Sequence, residues 1–570
     1  MTAHTPGGDP FYVTTPIYYV NDRPHIGHCY STLVADVAAR TARLLGRDTF
    51  FLTGTDEHAE KVSRSAAERG LSPQAWADQN AARFREAFDF MRFSHDDFIR
   101  TSEDRHKTRA SAMIQQLLDQ GDIELGDYHG WYDPSQEEYL TETTAKEHGY
   151  KSPVTGKPLE QRTEQNYFFR LDKYEPWLRE EIESGAVRVL PEARKNEVLG
   201  RMKDGLNKVP VSRRIKPGDA DWGITMPGDP EHRVYVWIEA LCNYVTAIDT
   251  PERAKYWPAS VHFMAKDILW FHAVIWPAML HALGKEPPKV VYAHAYFIAE
   301  GRKMSKSLGN FIEIDQLRAY AARYSVDAVR WYLATQGPLG ATDADWAYGR
   351  FVEVYNADLA NGIGNATSRV AQMIEKYFEG VLADRCDGRF GFPDGKALQA
   401  ALAARERAGN PPTDGARTFE LAASTDAAAR RAAGVLASGQ IDESTAAGVT
   451  LVREIDDFIT YAAPFTLAKH AEHIEHGQRA LGAILYSCAE ALRIASLFFY
   501  PACPDKMAEL WRRWGCDHLH DPNDADSGFK APLAELAEFG TGKFSLKPGQ
   551  KIEKGDPLFM RGDPKLDAPA

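Results

Sequence analysis

Cysteine is scarce in this sequence: the 570 residues contain six, and none of them stands in a Cys-x-x-Cys pair. Disulfide frameworks and thiolate zinc sites are built from closely spaced cysteines, so the pattern favours a reducing compartment and excludes a zinc site made of thiolates. The chain begins without an apolar signal stretch, and we expect no segment to reach the apolar run that a membrane span needs. These absences predict a cytoplasmic protein with no membrane association.

A net basic charge is also absent, because acidic residues exceed basic ones by 13. Indiscriminate nucleic-acid binding needs a basic footprint and is therefore excluded, although a local basic patch could still hold a specific RNA. Residues 194–216 include eight lysines and arginines, which fit either such a patch or a solvated helix face. A hydrophobic content of 44% and a charged content of 26% are ordinary for a globular protein, and the length predicts several domains.

The opening of the chain has the order of a nucleotide-binding α/β fold. Residues 11–15 predict a buried strand, a turn spans 21–24, His25 begins a helix with regularly spaced apolar residues, and 48–52 predict the next strand. Ligands of such folds bind at the carboxyl ends of the strands. The pattern breaks between about 116 and 228 and then resumes, with a further strand at 290–294, which indicates one fold split by an insertion. Beyond Phe351 the sequence is almost wholly helical, and residues 544–560 predict a short closing hairpin.

Two short motifs then narrow the function: Pro24-His25-Ile26-Gly27-His28 and Lys303-Met304-Ser305-Lys306-Ser307. In this order they resemble the paired signatures of class I aminoacyl-tRNA synthetases. The resemblance implies that an amino-acid carboxylate attacks the α-phosphorus of ATP, so that charge builds on the phosphates as pyrophosphate leaves. His25 and His28 would then donate hydrogen bonds to the phosphates while Gly27 lets the adenine approach. Lys303 and Lys306, on a loop that can close, would contact the leaving group.

Longer strings narrow the resemblance to the methionyl-tRNA synthetase family. They are TTPIYYVN at 14–21, GTDEH at 54–58, YVWIEA at 235–240 and KDILWFH at 266–272, and the similarity runs from residue 11 to about 375. The family implies a methionine–tRNA ligase that forms methionyl-adenylate and transfers methionine to the 3′ end of tRNA(Met), initiator and elongator alike, releasing AMP and pyrophosphate. ATP would be held by His25, Gly27, His28 and Lys306, with Asp267 on the ribose. The role of Thr225, near that ribose, stays open.

The same resemblance outlines a methionine pocket, in which Asp56 would pair with the α-ammonium group. The residues implied as its walls are Ile17, Tyr19, Trp237, Ala240, Leu241, Tyr244, Ile268 and His272. A thioether is unbranched, polarizable and nearly unable to hydrogen-bond, so a site must select it by shape and by sulfur–aromatic contact. Trp270 and Trp276 fit either a supporting role or plain core packing. Leu241 stands where many relatives carry proline.

The insertion departs from the family where many relatives hold zinc on cysteine pairs. This chain has Asp133 and Gln136 in the first half of that knuckle and Ser152 and Thr155 in the second. Hydroxyl and amide groups with a single carboxylate compete poorly for tetrahedral Zn²⁺, so we expect a knuckle without metal. The cofactors implied are ATP and the Mg²⁺ that accompanies its phosphates.

The helical region resembles an anticodon-binding domain. Asn365 and Arg369 match positions that contact anticodon bases in relatives, and a spacing of four places both on one helix face. Phe465, where many relatives have tryptophan, could stack on a base or lie in the core. The tail is too short for the barrel-sized dimerisation module of longer relatives, so a monomer is expected.

The fold predicted is therefore α/β: a Rossmann-type parallel nucleotide-binding domain split by a connective-peptide insertion and followed by an α-helical anticodon-binding domain. The divisions expected are 1–115 and 229–300 for the catalytic domain, 116–228 for the insertion, 301–355 for the lysine loop and stem-contact region, 356–543 for the helical domain and 544–570 for the tail. The leucine, isoleucine and valine enzymes are disfavoured, because they carry an editing insertion larger than residues 116–228 can hold. The cysteine enzyme is disfavoured, because it needs a thiolate–zinc pocket that these isolated cysteines cannot form. A non-catalytic tRNA-binding or scaffold paralogue is disfavoured by the intact histidines and lysines of both signatures.

Overall fold

The computed structural model describes residues 8–134, 138–140, 142–215, 221–299, 301–304, 311–383, 395–411, 420–438, 440, 442–516 and 529–565. In chain order the strands are β1 (Pro10–Tyr19), β2 (Asp48–Asp56), β3 (Asp97–Arg100), β4 (Ile123–Asp133), β5 (Glu138–Leu140), β6 (Glu160–Phe169), β7 (Arg188–Leu190), β8 (Val209–Pro210), β9 (Ser212–Arg214), β10 (Thr225–Met226), β11 (Asp229–Val234), β12 (Val261–Ala265), β13 (Val290–His294), β14 (Phe297–Ala299), β15 (Arg302–Lys303) and β16 (Ala344–Trp346). The helices of this α/β half are α1 (Ile26–Leu44), α2 (Glu60–Ala67), α3 (Pro73–Phe90), α4 (Asp104–Asp119), α5 (Glu142–Glu147), α6 (Leu171–Ser184), α7 (Glu192–Arg201), α8 (Val236–Leu241), α9 (Asn243–Thr246), α10 (Trp276–Ala282), α11 (Ile314–Tyr324) and α12 (Val326–Gln336).

The main sheet has six strands in the order β3-β2-β1-β12-β13-β7, and every pairing is parallel. Its strands are buried, β2 along its whole length, which explains why they appear as continuous apolar runs in the sequence. From β1 the chain continues to β2 on one side, whereas β12 lies on the other. The strand order therefore reverses at β1 and opens a crevice at the carboxyl ends of β1 and β12. The predicted Rossmann-type fold and its strands at 11–15, 48–52 and 290–294 are confirmed.

The segment predicted as an insertion contributes strands to two small antiparallel sheets and also contains helices α5, α6 and α7. One sheet has the order β5-β4-β6-β8 and the other the order β10-β11-β9, whose central strand β11 begins just after the predicted end at residue 228. However, β7 lies within the same range and pairs in parallel with β13, so the main sheet takes its edge strand from there. A three-residue strand with a single buried apolar side chain, Val189, is too short to stand out in a sequence pattern.

The described residues that follow β16 form mainly a helical bundle. Its helices are α13 (Tyr348–Val354), α14 (Asn365–Phe378), α15 (Gly395–Arg407), α16 (Leu421–Ser438), α17 (Asp442–Ala462), α18 (Pro464–His470), α19 (Gly477–Phe499), α20 (Pro504–Arg513) and α21 (Leu533–Leu536), with a π-helical stretch over Tyr355–Gly364. Helices α14 to α18 and α20 all pack against α19, which is its central member. The predicted helical region is thus confirmed.

Helix α19 corrects the expectation that no segment resembles a membrane span. An 18-residue window within it has a mean hydropathy of 1.4, the length and composition of a span, and all of that window is buried inside the protein. A helix that is apolar on every side needs burial, and here the surrounding helices supply it. Its two fully buried charged residues, Glu490 and Arg493, pair with each other at 2.8 Å.

The predicted hairpin at 544–560 is wrong, because the described residues of this segment form no strand pair with one another. The backbone bonds instead to the segment after α14: Leu382 N–H donates to Gln550 O at 2.9 Å and Ile552 N–H donates to Gly380 O at 2.8 Å. Glu490 also accepts the N–H of Leu546 at 3.0 Å. The chain does turn at 547–550, where the Gln550 N–H donates to the Lys547 carbonyl at 3.0 Å, but the flanking residues pair with the bundle rather than across the turn.

A buried ion pair ties the two halves of the molecule together. Arg330 on α12 donates to Asp36 on α1 at 2.6 Å, and both side chains are fully buried. The same guanidinium donates to the carbonyls of Pro501 and Ala502, which follow α19. The helix that begins at the first signature motif is thereby joined directly to the helical bundle.

Candidate active site

A cavity of about 500 Å³ opens at the carboxyl ends of β1, β2, β12 and β13, where the strand order reverses. Its lining contains thirteen of the residues that the sequence predicted for the two substrates: Ile17, Tyr19, His25, Gly27, His28, Asp56, Trp237, Ala240, Leu241, Tyr244, Asp267, Ile268 and His272. They come from segments spread over more than 250 residues of sequence, from Ile17 to His272. The structure therefore brings the predicted methionine and ATP residues into one site.

The two signature histidines cap helix α1. His25 is the N-cap residue; its Nδ1 accepts the Gly27 N–H at 3.1 Å, and the Nδ1 of His28 accepts the His25 N–H at 3.2 Å. Because each Nδ1 is an acceptor, each ring carries its proton on Nε2. The rings lie 3.8 Å apart, so the helix start holds two N–H donors side by side at the positive end of the helix dipole.

Gly27 is required by the same arrangement. A Cβ atom added there would lie 2.9 Å from Cε1 and 3.1 Å from Nδ1 of His25. A side chain at this position would therefore displace the capping ring. The ring of Phe311, at 4.7 Å and nearly perpendicular, supports His25 from the other side and was not predicted from the sequence.

Aromatic rings form the deep part of the cavity. The rings of Tyr19 and Trp237 lie 5.5 Å apart, and Trp237 stacks on Phe271 at 4.3 Å with an interplanar angle of 14°. Tyr244 is buried, and the indole of Trp276 lies behind it at 6.1 Å. Trp270 is half-buried beneath the guanidinium of Arg201, at 4.0 Å. Trp276 thus supports the pocket from the core, whereas the stacking partner of Trp237 is the unpredicted Phe271.

The hydrogen bonds of His272 fix its tautomer. Its Nδ1 lies 3.0 Å from the carbonyl oxygen of Ile268, which can only accept, so Nδ1 carries the proton. Nε2 must then accept the hydroxyl proton of Tyr244, at 2.7 Å. Burial lowers the pKa of His272 to about 4. The wall of the cavity is therefore uncharged here at neutral pH, which suits an apolar side chain.

Asp56 ends strand β2 beside Tyr19 of β1, with which it is in register. Its carboxylate is almost wholly buried and is the acidic group that enters the aromatic part of the lining. The following residue, Glu57, holds Arg100 through hydrogen bonds of 2.7 and 3.0 Å, which anchor the strand end. A carboxylate fixed at this depth can bind an ammonium group of a small ligand.

The outer part of the cavity has further polar residues that sequence reasoning missed. Arg23 and Lys61 line it, as do Tyr296 and His294. Arg23 lies in the turn just before His25. A cation so near the predicted phosphate-binding residues could have been identified from the sequence. His294 ends β13, and its Nε2 lies 2.8 Å from the hydroxyl of Ser31 on α1. Nothing local in the sequence marks His294 or Tyr296.

Three residues that the sequence singled out lie either outside this cavity or outside the described part of the chain. Lys303 is in β15 next to Phe297–Ala299, but its side chain is outside the described part of the chain, as is the whole of Lys306. Thr225 is exposed in β10 and does not line the cavity. The role of Thr225, which the sequence left open, is not assigned by this position.

The residues predicted to contact the anticodon lie in the helical bundle. Asn365 is exposed at the start of α14, and Arg369, one turn further, is half-buried with Nη1 3.2 Å from Asp456. Phe465 is the second residue of α18 and is 45% exposed, so it does not belong to the core. Of its two interpretations, only an exposed ring available for stacking agrees with this position.

In the insertion, the described residues at the knuckle positions are either hydrogen-bonded to the local backbone or buried. The Ser152 hydroxyl accepts the N–H of Val154 at 3.3 Å and of Thr155 at 3.1 Å, and Asp133 is buried at the end of β4. Gln136 lies outside the described residues. Among the described residues, no group of three His, Cys, Asp or Glu side chains could hold a metal ion. A knuckle without zinc stays a prediction.

Three of the eight basic side chains at 194–216 are engaged in ion pairs. Arg194 pairs with Glu197 at 2.7 Å, Lys208 with Glu124, and Arg214 with Glu231 at 2.6 Å. For these three side chains, ordinary surface pairing accounts for the charge. They do not form a free basic patch.

The chain is similar to known proteins over most of its length. A family model described as tRNA synthetases class I (M) matches residues 11–371. The chain is 36% identical over 569 residues to the methionine–tRNA ligase of Halalkalibacterium halodurans, covering 97% of this chain and 78% of that one. It is 45% identical over 385 residues to that of Listeria monocytogenes, covering 65% and 57% of the two chains. The structure of Mycobacterium tuberculosis methionyl-tRNA synthetase in complex with methionyl-adenylate is similar, with a TM-score of 0.81 and 31% identity over 97% of this chain and 100% of that one.

Proposed function

Since the chain belongs to the methionine–tRNA ligases of the class I tRNA synthetase family, we propose how its residues activate methionine and transfer it to tRNA. A methionine–tRNA ligase joins L-methionine to tRNA in two steps. A carboxylate oxygen of methionine attacks the α-phosphorus of ATP, the bond from that phosphorus to the bridging oxygen breaks, and pyrophosphate leaves. The terminal ribose hydroxyl of tRNA(Met) then attacks the carbonyl carbon of the adenylate and AMP leaves. The single observation that carries the proposal is the convergence of thirteen predicted residues on one cavity.

Methionine enters the aromatic part of the cavity with its ammonium group on Asp56. Tyr19, Trp237 and Tyr244 surround the thioether, which gains dispersion and sulfur–aromatic contacts rather than hydrogen bonds. Because Tyr244 already donates to His272, the wall keeps a fixed, neutral arrangement. Ile17, Ala240, Leu241 and Ile268 close the apolar surface. The M. tuberculosis relative binds methionyl-adenylate, which supports placing both substrates in the equivalent cavity.

ATP lies across the start of α1. The Nε2–H groups of His25 and His28 donate to its phosphates, and Asp267 accepts from its ribose hydroxyls. No general base is needed, because the attacking carboxylate is ionised at neutral pH. The protein contributes positioning and stabilisation of the developing phosphate charge. Lys303 and Lys306 are proposed to neutralise the leaving pyrophosphate.

Mg²⁺ enters with ATP rather than on a site of the protein. Mg²⁺ dehydrates reluctantly and usually binds through substrate phosphates, so we place it on the phosphates of ATP. When bound, the ion neutralises phosphate charge. The protein residues that act beside it are the two imidazole donors of α1.

The helical bundle is proposed to bind the anticodon of initiator and elongator tRNA(Met). Asn365 and Arg369 would contact bases, and the exposed ring of Phe465 would stack on one. The divisions 1–115, 116–228, 229–300, 301–355, 356–543 and 544–570 are retained as proposed domains. We also propose that the enzyme works as a monomer in the cytoplasm. Light scattering that gave a dimeric mass at micromolar protein would refute the monomer.

The test of the activity is ATP–pyrophosphate exchange with a panel of amino acids. Methionine should stimulate exchange well above leucine, isoleucine, valine and cysteine. Stronger stimulation by any of the other four would refute the substrate assignment. Absence of exchange with every amino acid, in a protein that still binds tRNA, would favour the non-catalytic alternative.

A further inference from the structure

We propose that Glu239 is a positioning residue for methionine: its carboxylate locks the helix that carries the aromatic wall to the strand end that carries Asp56. The proposal rests on the assignment of the cavity to methionine. Glu239 does not line the cavity and touches no predicted substrate. It lies in α8, between Trp237 on one side and Ala240 and Leu241 on the other.

The side chain of Glu239 is fully buried and bridges two histidines. Oε1 lies 2.8 Å from Nδ1 of His58, and Oε2 lies 2.7 Å from Nε2 of His106. The three residues belong to three separate elements: α8, the segment that follows β2, and α4. His58 is only two residues from Asp56. The carboxylate therefore joins the aromatic wall to the ammonium-binding group through a single side chain.

Helix α8 needs such an anchor. It has six residues, and its N-cap, Tyr235, makes no side-chain capping bond. A helix of this length has no stability of its own in water, so contacts with its surroundings set its orientation. Within α8, Glu239 is the buried charged side chain, and both of its oxygens are bound to other elements. The placement of Trp237 relative to Asp56 thus depends on it.

The strand end on the other side of the bridge is rigid. Glu57 holds Arg100 with two hydrogen bonds, accepts the Ser102 hydroxyl at 2.5 Å and accepts the Thr55 hydroxyl at 2.7 Å. The indole N–H of Trp222 donates to the Glu57 carbonyl, and the Trp222 ring packs edge-on against His58 at 5.1 Å. Glu239 accordingly attaches a short helix to a fixed point.

The electrostatics keep the bridge closed at working pH. Burial alone would raise the pKa of Glu239, but the interactions of its carboxylate with His58 and His106 outweigh burial and hold the pKa below the ordinary value of a glutamate. In the described structure, Nδ1 of His106 is buried without a hydrogen-bond partner. A proton there would be unsolvated, so the ring carries its proton on Nε2 and donates it to Glu239. The Glu239 carboxylate therefore keeps both hydrogen bonds at working pH, and the bridge does not act as a pH switch.

The test is Glu239→Gln, which keeps the shape but turns one acceptor oxygen into a donor facing an imidazole N–H. We expect the KM for methionine in pyrophosphate exchange to rise about tenfold to a hundredfold, the loss that a shift of about 1 Å in a binding group causes. The KM for ATP should stay within about twofold, because His25 and His28 are held by their own helix start. His58→Ala should reproduce the methionine defect, and His58→Asn, whose amide can replace the Nδ1–H donor, should restore most of the affinity.

Glu490→Gln is the matched control, since it alters another fully buried, paired carboxylate, located in α19. It should lower stability and leave both KM values near wild type. An unchanged methionine KM in folded Glu239→Gln would overturn the proposal, and so would equal rises of both KM values. If Glu239→Gln does not fold, methionine binding by His58→Ala and His58→Asn, measured by equilibrium dialysis, decides the matter in the same way. Lack of methionine-dependent exchange by the wild type would instead refute the function.

Discussion

Replacing His28 by asparagine separates the two tasks of this imidazole. In the structure its Nδ1 accepts the His25 N–H at 3.2 Å, while its Nε2–H is the group proposed to donate to a phosphate. Asparagine can keep the first task, because its Oδ1 occupies nearly the position of Nδ1, but it cannot reach as far as Nε2. Alanine loses both.

The magnitudes follow from these two tasks. Removal of one donor aimed at developing charge costs about 10²–10³-fold in rate, or roughly 3–4 kcal/mol of transition-state stabilisation. Loss of a helix cap costs about 1 kcal/mol of stability. We therefore expect both variants to form methionyl-adenylate about 10²–10³-fold more slowly, with unchanged methionine affinity, whereas only His28→Ala should also be destabilised.

Single-turnover adenylate formation, measured by rapid quench at saturating methionine and ATP, gives the rate, and thermal unfolding gives the stability. His28→Gln extends the comparison, because its amide nitrogen can approach the position of Nε2 and should recover part of the rate. A His28→Asn enzyme that forms adenylate at the wild-type rate would show that the Nε2–H of His28 does not stabilise the phosphates. A rate loss accompanied by the same loss of stability in the asparagine and alanine variants would refute the separation of the two tasks.

Arg369→Ala should weaken aminoacylation through a loss of about 1–3 kcal/mol of tRNA binding and leave methionine-dependent exchange near wild type; equal losses in both assays would assign Arg369 to the fold. Elemental analysis of dialysed protein should find no zinc, and chelator treatment should spare activity once Mg²⁺ is restored, whereas one zinc per chain would contradict the knuckle prediction. Asp36→Asn should destabilise the enzyme by about 3–5 kcal/mol at neutral pH, because Arg330 keeps a buried charge without its counter-ion. The folded-state pKa of Asp36 lies well below that of an ordinary carboxyl, because Arg40, Arg330 and the Ser94 hydrogen bonds outweigh the effect of burial. Its stabilisation is therefore complete above about pH 4 and is lost as the pH falls towards the folded pKa, so urea midpoints of wild type and variant should converge at low pH.

Much of the site was predictable because most of its residues stand in short contiguous sequence motifs. His25, Gly27 and His28 fall within four residues that begin a helix, and the pocket residues other than Leu241 and Tyr244 stand in four strings shared with a family. The strands beside those strings have strong buried patterns, which is why the parallel sheet could be predicted.

What could not be predicted depends on contacts between distant segments. Phe271, Phe311 and His294 support the site only because folding places them beside Trp237, His25 and Ser31. The bridge from His58 to His106 through Glu239 leaves no periodic signal in the sequence. The same holds for β7, whose three residues find a partner in β13, and for the tail, which pairs with the bundle instead of with itself.

A crystal structure with a non-hydrolysable analogue of methionyl-adenylate would show directly whether this cavity binds both substrates. We expect the methylthio group among Tyr19, Trp237 and Tyr244, the ammonium group on Asp56, and the phosphate-mimicking group at the Nε2 atoms of His25 and His28. An analogue bound elsewhere, or bound here with its side chain directed away from the aromatic rings, would contradict it.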